Sequence, residues 1–127
     1  MQLILKILVS LAALLFTGLG LKFMIAPGAL LDMWGLDPAA AANPQLAWST
    51  ARADVGGLLT AFGVFTGLGV LTRNKTWLHA GMLLMSLVFI ARAVGLVANG
   101  SDPQIYSNMG IEAILVLLMW LYARGLD

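Results

Sequence analysis

The chain carries seven Lys and Arg and six Asp and Glu, and four of these, Arg52, Asp54, Arg92 and Glu112, stand inside stretches otherwise apolar enough to cross a bilayer. An ionisable group near the centre of a membrane helix costs roughly 2.5–3.5 kcal/mol, so two cations and two anions are kept most cheaply by pairing inside a bundle. At a rise of ~1.5 Å per residue, Arg52 comes ~3 Å, Asp54 ~6 Å, Arg92 ~9 Å and Glu112 ~10 Å below one membrane face. Three hydrophobic segments thus feed one polar layer. Arg92 with Glu112 is the expected pair, in a charge-assisted hydrogen bond that the guanidinium fork can make single or bidentate. Arg52 and Asp54 are two residues apart and point to nearly opposite sides of a helix. Asp54 is therefore expected to face inward, while Arg52 snorkels out to water or lipid phosphate. Asp54 and Glu112 also fall in the first two turns of their predicted helices, where the macrodipole favours an anion.

Three roles suit such a centre: a clamp that sets the order of the helices, a binding pocket open to lipid or to the outer side, and a proton or ion path. The path is the weakest, because the inner halves of the hydrophobic segments hold no relay of carboxylates or histidines. His79, near Trp77 and Lys75, reads as an interfacial histidine.

The elements that must position these residues follow from composition. Of 127 residues, 61% are hydrophobic and 10% charged, against roughly 25% charged in an average soluble domain. One membrane domain spanning 1–127 is the expectation. A formal charge of +1 with scattered basic residues offers no patch for nucleic acid. The absence of cysteine excludes disulfides, thiolate nucleophiles and Cys-based zinc sites, and a single histidine argues against a His-rich metal centre. Met82, Met85, Met109 and Met119 read as core filling rather than a thioether copper site. No nucleophile, metal set or phosphate loop points to an enzyme, and no cofactor is expected.

Four segments, near Leu3–Ala26, Thr50–Leu71, Trp77–Ala98 and Ile105–Arg124, each approach the roughly 20 residues needed to cross ~30 Å of hydrocarbon. The first is expected to be a retained span rather than a cleaved signal, being long for a signal core and lacking a small-x-small site. Short polar turns at 72–76 and 99–104 force antiparallel neighbours, predicting an all-α, up-down-up-down four-helix membrane bundle. The connection 27–49 is longer, and Ala29–Gly35 reads equally as a short interfacial helix or a loop that dips into the headgroups.

Orientation follows from the cations. Lys6, Arg73, Lys75 and Arg124 gather at one end, while Lys22 faces Asp32, Asp37 and Asp102 at the other, placing both termini in the cytoplasm. Trp34, Trp48 and Tyr106 then mark the outer interface, and Trp77, Trp120 and Tyr122 the inner one. Gly56, Thr60, Gly63 and Gly67 form a small-residue stripe at helical spacing, expected to meet another helix of this chain, or else of a second copy.

Gly18, Leu19 and Gly20, Pro27, Gly35 and Leu36, the run Arg52–Gly57, the run Ala91–Gly95, Asn99 and Gly100, and the lone Glu112 together resemble a family of small bacterial four-helix membrane proteins classed as a domain of unknown function (family number 4345). The resemblance covers nearly the whole chain. It implies a bacterial inner-membrane location, and it makes Arg52, Gly56, Gly57, Arg92, Gly95 and Glu112 shared polar and close-packing elements. Asp54 lies outside that pattern, and Asn99 stands where similar sequences have Asp.

Two functions of different classes follow. The leading expectation is a non-catalytic accessory or scaffold protein that binds membrane lipid, a larger membrane complex or further copies of itself. The rival is an intramembrane site binding, transporting or acting on a hydrophobic small molecule with a polar head, in which Arg92 and Arg52 hold an anionic group and Glu112 orients it or moves a proton. A closed, fully paired cluster favours the first. A cavity beside Arg92 and Glu112, open outward or to lipid, favours the second.

Overall fold

Polar caps followed by helix-compatible residues start three of the four long helices. The Asn43 side chain accepts from the Leu46 amide at 3.1 Å with Pro44 in the first turn, Asn74 accepts from Thr76 at 2.8 Å, and Asp102 accepts from Gln104 at 2.8 Å with Pro103 following. In the computed structural model, which describes residues 1–31 and 35–126, the long helices are α1 (Gln2–Ile25), α2 (Pro44–Leu71), α3 (Lys75–Asn99) and α4 (Pro103–Arg124). No strand occurs among the described residues. All four helices are long and apolar enough to cross a membrane.

These bounds correct the expected ones. The second helix starts at Pro44 rather than near Thr50, because the Asn43 cap and Pro44 nucleate it earlier than hydropathy does. Asp54 consequently lies ten residues inside its helix and Glu112 nine inside α4. Both are beyond the first turn or so in which the macrodipole acts, so the expected dipole support is not available to them.

Each helix packs on the next, and α4 returns to α1. Along α1 and α2 the close neighbours are Met24 with Gly56, Gly20 with Thr60, Thr17 with Gly63 and Ala13 with Gly67, so the numbering rises on one helix as it falls on the other. Small residues allow this approach: a Cβ at Gly63 would overlap the Thr17 backbone nitrogen, and one at Gly20 the Thr60 nitrogen. Thr17 and Thr60 turn their hydroxyls onto the Ala13 and Gly56 carbonyls at 2.7 and 2.8 Å, which satisfies them within their own helices.

The main core lies toward the chain-terminal end, where Val9, Phe62, Leu78 and Met119 are buried together and Phe16 meets Phe62 edge to face at 5.0 Å. Met82 and Met85 belong to the same core and Met109 is half-buried, in keeping with packing. At the opposite end a smaller cluster of Phe23, Leu30 and Ala51 ties the long connection to α1 and α2. That connection holds two single 3-10 turns, Pro27–Ala29 and Pro38–Ala40, the second capped by Asp37. The interfacial helix expected at Ala29–Gly35 falls largely on 32–34, as do the charge of Asp32 and the marker Trp34, and these lie outside the described residues.

The exterior is apolar. Leu3, Ile7, Leu11 and Leu14 on α1, Leu87 and Val94 on α3, and Ile111 and Ile114 on α4 are all exposed. So many large apolar side chains on the outside of a chain with a packed interior form a surface that water solvates poorly.

Candidate functional site

Glu112 sits nine residues into α4 and Arg92 seven residues before the end of α3, about 14 and 11 Å along their helices from the shared turn. That near-equal height lets them meet. Arg92 donates from Nε to Glu112 Oε1 at 2.6 Å, with the side chains 25% and 8% exposed. The bond is single rather than bidentate. Glu112 Oε2 is buried and has no hydrogen-bond partner among the described residues. A carboxylate oxygen withdrawn from water without a donor is costly, and it marks an incomplete rather than a saturated pair.

Two grooves flank the pair. Arg92 lines one of 360 Å³ at the α3–α4 turn, together with Gly95, Asn99, Ser101 and Asp102, so this groove is the more polar of the two. Glu112 lines the other, of 440 Å³, which runs down the α3–α4 face between Met82, Ser86, Phe89, Val116 and Trp120 and is almost wholly apolar. Exposed Ile90, Leu117 and Trp120 line its open side, on the apolar exterior of the helices. The ion pair stands where the two grooves approach, each partner in a different wall.

Gly95 departs from expectation. A Cβ there would meet nothing within 4 Å, so Gly95 shapes the polar groove instead of packing a helix. A Cβ at Gly67 would touch only Ala13, at 3.7 Å, whereas Gly56 and Gly63 lie in close contact with α1.

The other two charged residues do not join the pair. Residues Ala51–Gly56 of α2 form a π-helical turn, in which the backbone bonds run five residues rather than four. From this widened turn Arg52 Nη1 donates to the carbonyls of Met24 at 2.6 Å and Ile25 at 3.0 Å. Those are among the last carbonyls of α1, orphaned at the helix end and carrying its negative dipole, so a cation suits them better than open lipid. Arg52 therefore caps α1 instead of snorkelling outward. Asp54 is exposed and without a hydrogen-bond or ion-pair partner among the described residues, where an inward-facing carboxylate was expected. Packing on α1 decides this: Gly56 lies against Met24 and Arg52 reaches the end of α1, so that side of the helix faces α1 and Asp54, two residues from Arg52, is left on the other.

His79 is exposed, and neighbouring Trp77 stacks on Phe65 at 5.5 Å. Arg124 lies over the ring of Trp120, a groove residue, at 4.7 Å in a cation–π contact. Sequence reasoning missed Ser86, Phe89 and Trp120 as groove wall. Ser86 was the one available signal, a lone hydroxyl in the apolar middle of α3. No family model, curated protein or solved structure matches the chain.

Proposed function

We propose that the protein is an intramembrane binding protein that takes a hydrophobic small molecule with a polar head into the groove beside Glu112. The observation that carries this reading is Glu112, an ion-paired carboxylate with one unpartnered oxygen, in the lining of a 440 Å³ apolar groove. Apolar walls with one placed polar group are the usual form of a small-molecule site. A scaffold clamp calls for a closed and fully paired cluster, whereas this pair is open on two sides and half satisfied. The accessory or scaffold reading retains only the apolar exterior as support, and surrounding lipid accounts for that by itself.

The same reading places the four helices across a bacterial inner membrane as an up-down-up-down bundle with both termini cytoplasmic. The opposed running of neighbour pairs, the short turns and the cluster of Lys6, Arg73, Lys75 and Arg124 at one end support it. The resemblance to the bacterial family of unknown function points the same way. Groove and ion pair then lie in the outer half of the bilayer.

The test is native mass spectrometry of the protein released from its own membrane, wild type against Ala113→Phe. Ala113 is exposed in the groove wall, so a phenyl ring there fills the cavity without entering the core. A retained small-molecule mass is expected in wild type and its loss in the variant. Absence of any such mass from wild type, or equal retention by both, would contradict the proposal.

A further inference from the structure

The charges around the groove restrict what the head group can be. Building on the binding role just proposed, we infer that the ligand presents a neutral hydroxyl, an alcohol or phenol on an apolar body, which donates to Glu112 Oε2. An anionic head, which Arg92 and Arg52 were first expected to hold, fits poorly. Arg92 has its Nε on Glu112 and lines the polar groove, and Arg52 spends Nη1 on the end of α1. Neither cation lines the apolar groove, where the charged residue is Glu112 itself. An anion entering there meets a carboxylate in low dielectric.

A cationic head fares little better. Arg92 already neutralises Glu112, so an ammonium would leave a net positive charge in an apolar groove. A neutral donor meets neither obstacle. The groove reaches from Glu112 to Trp120, eight residues or ~12 Å along α4. That length holds one ring and a short chain, and Phe89 and Trp120 give aromatic faces for a ring to pack on.

Four probes with the same butyl tail separate the alternatives: para-butylphenol, its methyl ether para-butylanisole, para-butylbenzoate and para-butylbenzylamine. Each is titrated into the full chain in detergent, with bound mass read by native mass spectrometry and Ala113→Phe as the groove-filled control. The phenol is expected to bind about tenfold or more tighter than the anisole, as one hydrogen bond to a charged acceptor requires. Glu112→Gln, whose amide both donates and accepts, should bring the two within about twofold. Should that variant fail to fold, the phenol-to-anisole ratio in wild type decides alone.

Equal binding of phenol and anisole, both lost in Ala113→Phe, overturns the hydroxyl assignment while leaving the binding site intact. Preference for the benzoate or the benzylamine overturns it in favour of a charged head. Failure of all four probes to bind in a way that Ala113→Phe abolishes counts against the groove as a binding site, and the hydroxyl assignment falls with it.

Discussion

The α1–α2 seam and the α3–α4 contact both join neighbouring helices, and they do so by opposite means. At the seam, Gly20, Gly56 and Gly63 let backbones touch, leave no space for a methyl group and satisfy their hydroxyl neighbours locally. Between α3 and α4, grooves are left beside a single ion pair, one of whose carboxylate oxygens lacks a donor among the described residues. A seam of small residues gains stability from dispersion at close range and offers nothing to a ligand. An underpacked contact with an unsatisfied acceptor gives up stability and keeps binding capacity. On the proposed reading, stability and ligand recognition fall to different pairs of helices.

Several substitutions would break or sharpen that contrast. Gly63→Ala should have the largest effect, about 2–3 kcal/mol of stability, because its methyl would overlap the Thr17 backbone, which cannot yield as a side chain can. Thermal unfolding in detergent reads this, and an unchanged midpoint would mean the seam is not the close contact described. Glu112→Gln should cost less, about 1–2 kcal/mol, since Arg92 is partly exposed on a polar groove and can turn toward water when its partner loses charge. A loss exceeding that of Gly63→Ala would make the pair a structural clamp and reverse the comparison.

Arg52→Ala removes the two bonds to the Met24 and Ile25 carbonyls and should cost about 1 kcal/mol, felt at the end of α1. Faster amide hydrogen exchange confined to the last turn of α1 is the expected sign, and global acceleration would argue for a wider role. Smallest of all, Gly18→Ala and Asp54→Asn should stay within about 0.5 kcal/mol of wild type, because the first meets open space and the second has no partner to lose. A clear shift from Asp54→Asn in the same melting experiment would show that this carboxylate has a partner after all.

Hydropathy and spacing alone determined the four apolar helices, the pairing of Arg92 with Glu112, and the stripe of Gly56, Thr60, Gly63 and Gly67. These are legible because length, period and height along a helix depend on local geometry, and a buried charge must find a counter-charge nearby. Only the tertiary structure decided that the stripe meets α1, that Arg52 caps α1, that Asp54 faces out and that Gly95 shapes a groove. Each of those depends on how a helix is rotated about its axis, and the π-helical turn at Ala51–Gly56 alters that rotation with no signal in residue type. The free oxygen of Glu112 belongs to the same class: the sequence names the partners, but the number of bonds they make is set by how closely two helices can pack.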